Sequence, residues 1–178
     1  MNAKAARAKA SKKSEKAAGK AAGKPAPDQA GPADVVPVVD DLKVILAESV
    51  QLHILTYNVH WNVTGPLFQP VHLLTETQYT ALALAIDEVA ERIRALGAKA
   101  PAGLRAYQKL GSIEDGDEDA PATAMVKALS AANAHLAERI RPVIARAAET
   151  RDEVTAGLLT DRLQAHEKAV WMLSAMLG

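Results

Sequence analysis

Cysteine is absent from this chain of 178 residues, and aromatic side chains are few: two Trp, three Tyr and one Phe. Without cysteine there is no disulfide framework, thiolate metal site or cysteine nucleophile, so any transition metal must sit on His, Asp and Glu. No stretch reaches the roughly 18 apolar residues needed to span a bilayer, and the charged start MNAKAARAKASKKSEK has no apolar run behind it. These features predict a soluble, unexported, cytoplasmic protein with no membrane partner. Strand signals are missing as well, which leaves helices to build the fold.

Net charge is also zero, but the balance hides an asymmetry. Residues 1–34 carry eight bases (Lys4, Arg7, Lys9, Lys12, Lys13, Lys16, Lys20 and Lys24) against three acids, a charge of +5. The remaining residues therefore carry −5. The same 34 residues contain no Leu, Ile, Phe, Tyr or Trp, so they have little to bury against the entropy of ordering and are expected to be disordered in isolation. A repeated KAAG from Lys16 and Lys20, continued by Lys24, would put three lysines on one face of a transient helix. PAPDQAGPADVVP then reads as a linker. The expected organisation is a basic tail and linker over 1–34 and one compact domain over 35–178. A basic arm on an acidic body predicts sequence-indifferent DNA binding through the tail, because the body alone would repel phosphates.

From Asp40 the apolar residues fall at helical spacing until Gly65-Pro66, which predicts a first helix. A second begins near Pro70 and ends at Gly97, a short one covers Leu104–Leu110, and an acidic loop, EDGDED, follows. Pro121 opens another helix running to about Thr150, with a kink expected at Pro142, and a last one runs from Asp152 to Leu177. Four long amphipathic helices predict an all-α four-helix bundle with a short extra helix in its long connection.

Metal-capable side chains concentrate in HWNVTG (His60), VHLLTE (His72, Glu76) and DEVAE (Asp87, Glu91). An antiparallel hairpin of the first two helices brings His60 and His72 to one end of the bundle. On the second helix Glu76, Asp87 and Glu91 fall within roughly 100° of His72, yet Glu76 and Asp87 lie roughly 16 Å apart along the axis. No metal ion bonds ligands that far apart, so one chain holds two half-sites, {His60, His72, Glu76} and {Asp87, Glu91}. Antiparallel packing of two copies about a two-fold axis completes both. Two imidazoles with three carboxylates suit iron, with zinc as an alternative occupant. The apolar neighbours of Asp87, namely Ala85, Ile86, Val89 and Ala90, lead us to expect a carboxylate that needs a cation to neutralise it.

In these segments, and collinearly from Val36 to Gly178, the chain resembles the Dps family, the DNA-binding proteins from starved cells. HWNVTG, a turn with Phe68, VH, DEVAERIRALG and a last helix with VTAGLLTDRLQAHEKAVWML carry the resemblance. It implies a ferritin-like bundle in a hollow dodecamer, a nucleoid-associated location, and oxidation of Fe(II) by hydrogen peroxide in preference to O2. It also implies inter-subunit ferroxidase sites made by His60, His72, Glu76, Asp87 and Glu91. The family acid at position 76 is usually Asp; Glu keeps the charge with a longer reach. Trp61 is a candidate electron donor, Trp171 is expected in the core, and Glu153 and Asp161 are candidate pore residues, although Gly157 stands where relatives often have Asp. A maxi-ferritin would need Glu-x-x-His, which does not occur in this chain. The competing reading is a DNA-compacting structural protein with a vestigial metal site.

Overall fold

A computed structural model describes residues 32–178, with side chains from residue 38 onward. Of the basic DNA-binding tail and linker expected over residues 1–34, residues 1–31 lie outside the described residues. Five α-helices follow in order: α1 (Pro32–Asn62), α2 (Phe68–Ala95), α3 (Leu104–Leu110), α4 (Ala122–Glu149) and α5 (Glu153–Ala175), with a short 3-10 turn at Gly65–Leu67. The first helix begins at Pro32 rather than Asp40, so it takes in the last residues read as linker. Proline is favoured at a first helical residue, where its missing N–H loses no bond.

Side-chain pairs between elements give the topology. His60 meets His72 across α1 and α2, and Glu48 and Asp41 of α1 meet Arg139 and Arg146 of α4. Arg92, near the end of α2, meets Asp152 and Thr155 at the start of α5. Both neighbours of α1 are therefore antiparallel to it, and the long 96–121 connection returns the chain to the His60 end. This is a four-helix bundle with a short extra helix in its long connection, and no strand occurs among the described residues.

The core is aliphatic, with Leu42, Ile45, Ile93, Leu136, Ile140 and Leu159 essentially solvent-free. α2 stops at a left-handed Gly97 (φ 86°), where Gly97 N–H donates to the Arg94 carbonyl and Ala98 N–H to that of Ile93. α4 runs through Pro142 as one helix. The long connection is tied to α1 by side chains: Gln51 bonds Tyr107 and Ile113, and Asn58 donates to the Gly116 carbonyl.

Glu48 and His166 are among the polar groups buried in this core. Glu48, fully buried, accepts from both donors of Arg139, from Ser112 and from His135. Burial alone would raise its pKa, but these bonds outweigh it and hold the carboxyl below its ordinary value. His166, 4% exposed, bonds Asn133 through Nδ1 at 2.9 Å. Burial, aided by the Arg162 charge, pushes it down to about 4.

The unfolded chain therefore binds a proton at His166 near pH 6.5 that the folded chain takes up only near 4, and stability falls as pH drops through that window. His166 should account for about 2 kcal/mol of destabilisation between pH 7 and pH 5. Denaturant titration at fixed protein concentration should find that loss in the wild type and a smaller one in His166→Gln. Parallel losses would show that another group carries the pH dependence.

Candidate metal centre

α1 ends and α2 begins around the short turn at residues 63–67, which puts His60 and His72 face to face. Their rings stack with centroids 3.8 Å apart and planes 15° from parallel. Each Nδ1 lies within hydrogen-bond distance of the other residue's backbone carbonyl, 3.0 Å for His60 to His72 O and 2.9 Å for His72 to His60 O. A carbonyl can only accept, so both Nδ1 atoms carry the proton and both Nε2 atoms keep a lone pair for a metal. Thr75 adds a second contact to His60 Nδ1 at 3.1 Å, while its hydroxyl donates to the Val71 carbonyl at 2.8 Å. Ring tautomer and orientation are thus fixed by backbone and Thr75, the support that metal-binding imidazoles ordinarily receive.

His60 is buried and His72 half-buried, whereas Glu76, Asp87 and Glu91 are all exposed. The apolar surround expected for Asp87 is therefore not found: Ala85 and Val89 turn inward while Asp87 faces out. Among the described residues, no three His, Asp or Glu side chains of one chain converge on a metal position. The structure brings the two imidazoles together, but it leaves the acids spread along the outer face of α2 with exposed Leu73 and Leu84 (55% and 68%).

Aromatic residues surround the imidazoles, and sequence reasoning missed two of them, Tyr57 and Tyr79. Tyr79 meets His60 edge to face at 5.1 Å, and Phe68 stacks on His72 at 5.0 Å. Tyr57 lies 4.6 Å from Tyr79 and stacks flat on Trp61 at 4.9 Å. The signal was the i, i+4 spacing of His53, Tyr57 and Trp61 on α1. Desolvation, and then the charge of Glu76 one turn earlier on α2, push the Tyr79 phenol up. Trp61 itself is 69% exposed. Trp171, expected in the core, is 68% exposed, because Leu173 and Ala169 take the inward positions of α5.

Glu153 and Asp161 are exposed on the first half of α5. Glu153 lies at the Arg92 end of α2, roughly 30 Å along the bundle from His72, and Asp161 about two turns nearer to it. There Asp152 caps α5 through the Thr155 N–H and pairs with Arg92 at 2.6 Å.

The model for the ferritin-like domain matches residues 39–178. Solved structures agree: a Dps protein from Vibrio cholerae O1, described as a member of the ferritin-like diiron-carboxylate superfamily, superposes with a TM-score of 0.79 at 31% identity, over 83% of this chain and 92% of that one. Fold and sequence together therefore define a ferritin-like protein. Among curated relatives, DNA protection during starvation protein 2 of Bacillus anthracis is 34% identical over 79% of this chain and 97% of its own length. Antigen TpF1 of Treponema pallidum is 33% identical over 80% of this chain and 81% of its length, and its crystal structure superposes with a TM-score of 0.81 over 85% of this chain and 98% of that one. The chain belongs to the Dps family.

In the neutral ring both His60 and His72 should be Nδ1–H tautomers, with Nε2 the nitrogen whose 15N shift moves on adding Zn(II). Detection of an Nε2–H tautomer at either ring would break the reciprocal arrangement.

Proposed function

We propose that this chain is a ferroxidase subunit of a dodecameric shell that oxidises Fe(II) with hydrogen peroxide in preference to O2, stores the ferric product inside, and binds DNA through its basic tail. One observation carries the site: two imidazoles are held with Nε2 free at one end of α2, while the acids that could complete a metal site stand exposed farther along that helix. Antiparallel pairing of two α2 helices in the register that sets Glu76 against the partner subunit's Asp87 also sets His72 against the partner subunit's Glu91. The register centres between residues 81 and 82, and exposed Leu73 and Leu84 on the same side supply apolar surface for the contact. Two imidazoles and three carboxylates then face each ferrous ion, with positions left for the oxidant. The description of the Vibrio cholerae relative as a diiron-carboxylate protein supports iron as substrate.

His72→Ala and Asp87→Ala remove opposite half-sites. Each shell should assemble and lose rapid ferric absorbance, while mixed shells regain part of the rate, because some interfaces then hold one intact site. Verified mixed shells with no recovery would exclude the two-chain site. A wild type inactive with anaerobic Fe(II) plus peroxide would leave only the DNA-compacting role.

DNA binding is assigned to Lys4, Arg7, Lys9, Lys12, Lys13, Lys16, Lys20 and Lys24. Twelve arms on one shell add weak phosphate contacts through high local concentration, and counterion release makes the binding steeply salt-dependent. The name of the Bacillus anthracis relative, a DNA protection protein, fits this role. In gel shifts the full chain should retard duplex DNA at low salt, much less at moderate salt, and a chain starting at Val35 should not retard it. Equal retardation by both would place the DNA surface on the body.

A further inference from the structure

Ion pairs knit the helices of the bundle to one another. Asp41–Arg146 and Glu48–Arg139 tie α1 to α4, Arg92–Asp152 ties α2 to the start of α5, and Arg141–Glu167 ties α4 to α5. The connection between α2 and α4 is different. Every Lys, Arg, Asp and Glu in residues 96–121 is exposed, and none of them enters an ion pair among the described residues. Their order is segregated too. Lys99, Arg105 and Lys109 come first with no acid among them, and the five acids from Glu114 to Asp119 follow with no base among them. Like charges held side by side repel, and the strip has no opposite charge within its own chain to relieve this. A strip with one sign at each end is, however, complementary to a second copy of itself run backwards.

We propose that this strip is the charged margin of a two-fold contact, in which Arg105 pairs with the partner subunit's Glu118 and Glu118 pairs with the partner subunit's Arg105. The inference rests on the antiparallel α2 register given above, centred between residues 81 and 82, and not on the iron chemistry. Tyr57 meets Tyr79, and His60 meets Thr75, so the centre of that register lies level with about residue 54 of α1. Glu118 stands on the His60 side of this level, in a groove with Ile54, Asn58, Trp61 and Asn62. Arg105 stands on the other side. The chain reaches α3 from Ala98, whose N–H donates to the Ile93 carbonyl near the far end of α2, and Tyr107 is held by Gln51 and by the Pro101 carbonyl. Rotation about the two-fold axis therefore carries the partner subunit's Glu118 to the Arg105 side. Ile54, 51% exposed and level with the centre, supplies apolar surface between the two pairs.

Exposed ion pairs add little affinity one by one, but each of these occurs twice in a two-fold contact. Their larger effects are on the rate of encounter and on register. Parallel pairing, or a slip that sets acids against acids, meets repulsion at the margin. The antiparallel register is the one that relieves it, and it is also the one that sets His72 against the partner subunit's Glu91.

The test uses the full-length chain with Arg105→Glu, with Glu118→Arg, and with both changes together, all at exposed positions whose folding is verified by circular dichroism. Association is timed by light scattering after dilution at low and at moderate salt, and two-fold pairs are counted by native mass spectrometry. Wild-type association should slow as salt rises. Each single variant sets like charges against each other at both ends of the contact and should associate roughly tenfold more slowly at low salt. The double variant should return to the wild-type rate. Mixing the two single variants restores both pairs, so mixed pairs should far outnumber the half expected from random pairing. Random pairing, with single variants that associate like the wild type, would overturn the strip; if those variants still oxidise Fe(II), the ferroxidase reading stands without it. Preferred mixed pairs in a protein whose wild type yields no ferric absorbance would overturn the ferroxidase reading and leave the strip in place.

Discussion

The paired hydrogen bonds between His60 and His72 do two jobs with the same atoms. His60 lies in the last turn of α1, where backbone carbonyls have no helical partner. The Nδ1–H of His72 satisfies one of them at 2.9 Å, so a side chain of α2 caps the end of α1. In the neutral ring the same bond leaves the lone pair of His72 on Nε2, and its counterpart from His60 does likewise across the turn. Helix termination, hairpin register and imidazole tautomer are thus one constraint. Loosening the turn would cost the cap and the imidazole geometry together.

That constraint places imidazoles but not carboxylates. A helix rises about 1.5 Å per residue, so Glu76 and Asp87 cannot serve one ion within a chain. The exposed acids are tolerable in the isolated subunit because water solvates them, and packed face to face without a cation they would repel. On the proposed reading, the assembly contact and the metal site are therefore coupled: the interface brings the acids together, and the bound cation offsets the repulsion it creates.

Much of this was legible in the sequence. Apolar spacing located the long helices, and Leu104–Leu110 appears with the bounds expected. The HW and VH pairs near a Gly-Pro turn implied the meeting of His60 and His72. What failed has a common physical cause, that periodicity reports a stripe without saying which neighbour it meets. Asp87 has apolar neighbours in sequence, but Ala85 and Val89 turn to the core and the carboxylate turns out. Trp171 looked like core by residue type, yet its neighbours hold the inward positions. Pro32 and Pro37 read as linker because prolines punctuate, and a proline at a first helical residue looks the same in sequence as one in a turn. The buried Glu48 gave no signal, since its partners Ser112, His135 and Arg139 are more than sixty residues away.

On the proposed function, segregation of charge along the chain would let one molecule handle two ligands of opposite sign. Residues 35–178 are acidic by five charges, a balance that favours cations near the surface and disfavours phosphates. Were the eight bases of the tail spread over the body instead, they would cancel the field that concentrates the cation without making a continuous phosphate-binding strip. Held on a separate segment, they can neutralise DNA while the acids of α2 remain available to iron. On this reading the neutral total is the sum of two working surfaces, and salt should weaken the DNA surface far more than the metal site, whose ligands bond the ion directly.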